Sequence, residues 1–349
     1  MIDTFPNSIF SSRIIRGKPF SEESTHKFYD NLISNYEVKD LQLVLCNSLE
    51  RKTCLSYVNG KPYLVFDTSV MEIFSLLHNA MICKRTNEFL RIVFYLISSE
   101  QYFLEGQYAL ALQFAAKYIN DIELAIHVMS SEIEIEKPSP LFIQQAFLLS
   151  HEFYHYWFSV YKAIYKSAIE SKYTFLYNIY KYDRQSEGLL KSDSFKDALN
   201  NKNLIEECIC DSMGAISAIN FGIKLKKQSE SKSAVAIIEA LNYQFILSCI
   251  ESFNGQINSK INFSELNEFN FRLLHLKHFL SKYLREDFGD DSSDKFEASV
   301  NHSDYFINNT IQYIADLYAR ESLLLKDHFN AGESIDIDIR KQLLRVYSL

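Results

Sequence analysis

The sequence predicts a mainly α protein with a small antiparallel β-sheet. Three observations predict it. The 349 residues contain only nine Gly and five Pro, too few for a barrel or sandwich built on many turns. Most of the chain past residue 68 runs in long segments whose apolar residues recur at helical spacing. Near the N-terminal end, short apolar runs are broken once by Asn59-Gly60, the strongest short hairpin signal.

The elements follow in order. Residues 21–36 (SEESTHKFYDNLISNY) open on Ser/Glu cap chemistry and read as a helix. LQLVLCNS (41–48), TCLSYV (53–58) and PYLVFD (62–67) read as three antiparallel strands. Asp67-Thr68-Ser69 then caps a helix over 70–81. Further helices are expected at 86–99 and 105–130. Pro138 and Pro140 introduce one at 141–165. Residues 171–200 read as a helix plus loop, and helices are expected at 203–227, 233–253, 264–284 and 304–328. The acidic, polar stretch 286–303 reads as a mobile loop or linker. No internal repeat is visible.

Composition narrows the function classes. Formal charge is −8 and is spread along the chain, so nothing suggests a nucleic-acid binder. The six cysteines form no C-x-x-C pair, and residues 1–20 lack a cationic stretch followed by an apolar run. A reducing cytoplasm with free thiols is the expected compartment. The apolar run 234–250 carries Glu239 and is short for a span, so no transmembrane helix is expected.

LLSHEFYHYWF (148–158) contains His151-Glu152-x-x-His155. On a helix, residues i and i+4 stand one above the other, so both imidazoles can reach one metal ion. Glu152, rotated roughly 100° from His151, sits beside such an ion, where it can accept a proton from metal-bound water. The competing reading is an aromatic core helix whose histidines bond carbonyls. A zinc hydrolase needs a third protein ligand. Downstream, 206–215 reads EECICDSMGA, with Glu207 and Asp211 again at i, i+4. Glu207 can complete a His₂Glu set, and Asp211 can accept the free ring N–H of a ligand histidine. Gly214, Ala215 and Ala218 would let this helix pack closely on the first. Glu206 is a rival ligand whose i+4 partner is Cys210. Cys208 and Cys210 are soft donors, a type uncommon at hydrolytic zinc sites.

HEFYH followed by ECICDSMGA resembles the gluzincin metallopeptidases of the HExxH…ExxxD type, such as the CaaX-prenyl and heat-shock-induced membrane proteases. Cys210 stands where that pattern has alanine. The segment PYLVFDTSVMEIFSLL is similar to the edge strand along the cleft of these enzymes and the helix after it. The likeness covers about residues 40–225. Those enzymes are membrane-embedded; soluble bacterial members of the broad group include repressor-cleaving and phage-exclusion peptidases, and the latter are nearest in character. The resemblance implies a zincin-like core with Zn²⁺ held by His151, His155 and Glu207. It makes Glu152 the general base and Asp211 the carboxylate behind a ligand histidine. The organisation expected is a peptidase domain over 1–285 with its core at about 40–225, followed by the acidic loop or linker at 286–303 and a C-terminal helical segment at 304–349.

An oxyanion donor is also needed. The membrane peptidases carry His-Pro-x-x-x-x-Arg after the second motif. Here the first two positions are Leu266-Asn267, and Arg272 remains, with His275 on the same helical face. The expectation is a cytoplasmic zinc endopeptidase that cleaves an intracellular protein. Its substrate would be bound in extended form as an added strand on an edge near 62–67, with neither nucleic acid nor a membrane span involved. The alternative is a catalytically silent, zinc-stabilised helical interaction module.

Overall fold

The computed structural model describes residues 22–48, 51, 53–82, 86–132, 139–183, 201–226, 228–255 and 263–331. Residues 1–20, on which the expectation of no secretory signal rests, lie outside this set, as do the expected loop at 184–200 and the last 18 residues of the expected C-terminal segment. The order is α1 (Glu22–Asn35), β1 (Gln42–Cys46), β2 (Cys54–Val58), β3 (Lys61–Asp67), α2 (Ser69–Ile82), α3 (Thr86–Leu104), α4 (Tyr108–Glu132) and α5 (Ser139–Val160). There follow α6 (Lys162–Asp183), α7 (Lys202–Lys226), α8 (Glu230–Gly255), α9 (Phe263–Phe288) and α10 (Asp290–Ala331). The protein is mainly helical with a small sheet, as expected.

The sheet is mixed, not antiparallel. β2 and β3 form the hairpin that Asn59-Gly60 announces, with Val58 opposite Lys61. Asn59 and Gly60 have φ of 50° and 77°, the left-handed pair that a two-residue primed turn requires. β1 pairs with the other side of β3 and runs parallel to it, giving the order β1-β3-β2. The hairpin signal says nothing about β1. Its place follows from burial: Leu64, Val65 and Phe66 are all fully buried, so β3 must be covered on both faces and both edges. Asp67 then locks the parallel ends together. It accepts from the Ser48 amide (3.1 Å), the Ser48 hydroxyl, the Ser69 amide (3.1 Å) and the Ser69 hydroxyl (2.6 Å). β3, which contains 62–67, is therefore the central strand, and among the described residues the open edge beside the HExxH helix belongs to β2.

The stretch 286–303 is not a linker. Gly289, at φ 94°, ends α9, and α10 begins at once as one helix of 42 residues. Asp290 and Asp291 favour the start of α10, where unpaired N–H groups carry partial positive charge. Its buried side runs Phe296, Val300, Ser303, Ile307, Thr310, Ile314, Leu317, spaced four and three apart, and packs on α8 and α9. The acidic face and the buried serines disguised this stripe in the sequence. The C-terminal helix is thus packed into the same body as the HExxH helix.

At the centre, α5 lies against α7 and both touch α8. Gly214 on α7 sits where an added Cβ would be 3.1 Å from the His151 amide nitrogen, so the two backbones meet at the first histidine. Ala215 and Ala218 are fully buried along the same helix. Among the described residues, only Glu230–Ser252 within α8 is long and apolar enough to cross a membrane, and most of it is buried inside the fold.

Candidate metal centre

His151 and His155 stand one turn apart on α5, and Glu207 faces them from α7. The two Nε2 atoms are 3.2 Å apart. Glu207 bridges them, with Oε2 3.2 Å from His151 Nε2 and Oε1 3.2 Å from His155 Nε2. Three ligands in a tetrahedral shell of about 2.0–2.1 Å bonds would stand about 3.3–3.4 Å from one another. Each imidazole faces a different Glu207 oxygen, and one ligand atom from each of the three residues lies close enough to share a metal ion.

The partners of the other ring nitrogens strengthen this. His155 Nδ1 hydrogen-bonds to Glu206 Oε1 at 3.0 Å. His151 Nδ1 lies 2.9 Å from Asp211 Oδ1, in a bent contact. Each carboxylate assigns its ring proton to Nδ1 and leaves a lone pair on Nε2. Two lone pairs and a carboxylate, mutually 3.2 Å apart, repel unless positive charge lies among them. Either protons or a metal ion can supply it.

The electrostatics agree. Burial alone would push His151 down, but Asp211 and Glu207 outweigh it and bring the imidazole up to about 10. Burial would raise Glu207 and Asp211. Instead the histidines and Arg272 hold Glu207 far below the usual carboxylate range, and Arg272 and His151 do the same for Asp211. Cys208 and Cys210 are fully buried, and burial raises both thiols. Neither joins the cluster, so among the described residues the donor set is His151, His155 and Glu207.

Glu152, the residue after His151 on α5, meets the hairpin. The Leu55 amide donates to its Oε2 at 3.2 Å. In the hairpin register, Val58–Lys61 closes the turn, so Leu55 and Tyr57 alternate to positions whose N–H and C=O leave the sheet at its open edge. Pro62, opposite Tyr57, fits this alternation because it has no N–H to offer the ladder. Burial raises the Glu152 carboxyl, while His151, His155 and the Leu55 amide pull it back.

Arg272, from α9, meets the site behind the ligands rather than across from Glu152. Nε and Nη2 donate to the two Asp211 oxygens at 2.8 Å each, and Nη1 lies 3.0 Å from Glu207 Oε2. His275, one turn on, lies outside the triangle: its Nε2 is 3.2 Å from Lys172 Nζ and 3.4 Å from Ser212 Oγ. In the sequence Glu206 reads only as a rival ligand. Its actual place on the ring of His155 follows from its rotation of about 100° from Glu207 on α7. Nothing in the sequence pointed to the Leu55 amide.

The fold and site thus define a mainly helical protein with a His-His-Glu cluster able to hold a metal ion. Compared with known proteins, the chain matches no family model, no curated protein and no solved structure.

Proposed function

We propose that this protein is a zinc-dependent endopeptidase with a zincin-like core, acting in the cytoplasm on an intracellular protein. His151, His155 and Glu207 hold the ion. When bound, zinc lowers the pKa of water and polarises a carbonyl. Glu152 takes the proton from the attacking water and returns it to the leaving amine, a role suited to a carboxyl that burial has made more basic than usual. Asp211 and Glu206 hold the imidazoles in register. Arg272 neutralises the carboxylates behind the ligands. Substrate lies extended along the edge of β2, where the Leu55 carbonyl and the Tyr57 N–H and C=O face outward while the Leu55 N–H holds Glu152; β3 is paired on both sides.

The observation that carries this reading is the His151–His155–Glu207 cluster, with Glu152 beside His151 on the same helix and held at the β2 edge by the Leu55 amide. The silent-module alternative calls for a fourth protein ligand and a Glu152 facing away. Among the described residues the cluster has three members, and the Glu152 carboxylate is held between α5 and the β2 edge by the Leu55 amide. The test compares the protein termini of cells expressing wild type with those of cells expressing Glu152→Gln. New termini that appear only with wild type support hydrolysis. Identical termini, together with a full complement of zinc in both proteins, would leave the module reading.

A further inference from the structure

Eight large apolar side chains are exposed among the described residues, and four of them, Tyr57, Val160, Tyr161 and Ile164, belong to the C-terminal end of α5, the start of α6 and the strand residue that meets them. Tyr57 stands on the open edge of β2, 56% exposed, with its hydroxyl 3.4 Å from Ser159 Oγ. Ser159 is one turn beyond His155 on the same side of α5, and Val160 continues the line from Glu152 through Tyr156. Tyr161 follows α5 directly and packs on Trp157 at 5.3 Å between ring centroids. Ile164 caps the group, its amide bonded to the Tyr161 carbonyl at 3.0 Å. Tyr57, on the β2 edge that has no partner strand among the described residues, thus meets the end of the helix that carries Glu152, next to Val160, Tyr161 and Ile164.

We infer that this patch is the specificity surface of the cleft, and that it selects an extended peptide with a bulky apolar side chain about three residues from the bond cleaved. The inference rests on the peptidase reading. Seven residues of helix separate Glu152 from Ser159, a rise of about 10 Å. An extended chain covers that distance in about three residues. A strand added to β2 binds through backbone, which is blind to sequence, so discrimination must come from side chains at its border. Exposed carbon on Tyr57, Val160, Tyr161 and Ile164 gains nothing from a charged or small residue and gains burial from Phe, Leu or Tyr.

The test separates recognition from chemistry. Zinc-loaded Glu152→Gln protein is titrated with two labelled pools of degenerate ten-residue peptides, one with Phe fixed at a central position and one with Ser there. The Phe pool is expected to bind about tenfold tighter, and Tyr161→Ser/Ile164→Ser to bring it to the level of the Ser pool with zinc content unchanged. Equal affinity of the two pools, or no binding of either, overturns the inference. So does a wild-type dimer that the double substitution dissociates without changing peptide affinity, which would assign the face to a second copy of the chain. Turnover by wild type is read separately. Cleavage of both pools alike removes only the specificity surface. Preferential binding with no cleavage by the zinc-loaded wild type leaves the surface standing and removes the hydrolase.

Discussion

The Leu55 amide donates to Glu152 Oε2 at 3.2 Å across the gap between β2 and α5. This bond stabilises the charged carboxylate and so holds its pKa below the value that burial alone would set. Leu55→Pro removes the donor at a position whose N–H faces away from the ladder, so the hairpin should persist. The sign is direct: a carboxylate that loses a hydrogen bond becomes more basic, and a base must be deprotonated to act. The acid limb of the pH profile of kcat/KM should therefore move to higher pH, with zinc content and far-UV dichroism unchanged. An acid limb that stays in place would show that Glu152 is not the group it reports.

Metal uptake should expel a proton. His151, brought up to about 10 by Asp211 and Glu207, is protonated at neutral pH in the metal-free protein. Calorimetry at pH 7 in buffers of differing ionisation enthalpy should register about one proton released per ion, with affinity rising as pH rises. The metal-free protein should show the reverse trend. The folded value lies above the ordinary 6.5, so the stabilisation this ring contributes is complete below pH 6.5 and is lost as pH climbs through about 10. His151→Ala should flatten that decline.

Arg272 covers the buried carboxylate of Asp211 with two 2.8 Å bonds. Arg272→Met strands that charge and should cost on the order of 3–5 kcal/mol in denaturant unfolding of the chelator-treated protein. The penalty should shrink when zinc is present, because the ion supplies positive charge to the same carboxylates through Glu207 and His151. An equal penalty in both conditions would show that Arg272 is not electrostatically joined to the metal centre.

Glu206 accepts from His155 Nδ1 at 3.0 Å, and its side chain is 29% exposed. Removing it strips the orientation from one ligand without leaving a buried charge. Glu206→Ala should weaken zinc binding by roughly 10–100-fold in a competition titration and change unfolding of the metal-free protein little. Complete loss of the metal would instead make Glu206 a ligand.

Much of the site could be read from local periodicity. His151 and His155 face one way because helix geometry fixes i and i+4, whatever surrounds them. Glu207 and Asp211 follow by the same rule, and Gly214 marked where the second helix could approach the first. Asn59-Gly60 dictated a hairpin because few residues tolerate two consecutive positive φ angles. These features depend on a few adjacent residues, and so the sequence by itself determined them. Tertiary structure alone decided the rest. Burial of Leu64, Val65 and Phe66 placed β1 beside β3 and turned 62–67 from an edge into the middle of the sheet. The packing of Phe296, Val300 and Ile307 made a helix of a stretch whose composition reads as a loop. The crossing of α5 with α7 set Glu206 on His155, and α9 delivered Arg272 to Asp211. Contacts between side chains far apart in sequence form only where whole elements find a common core, and no local pattern records which long-range partner a carboxylate or an open strand edge will meet.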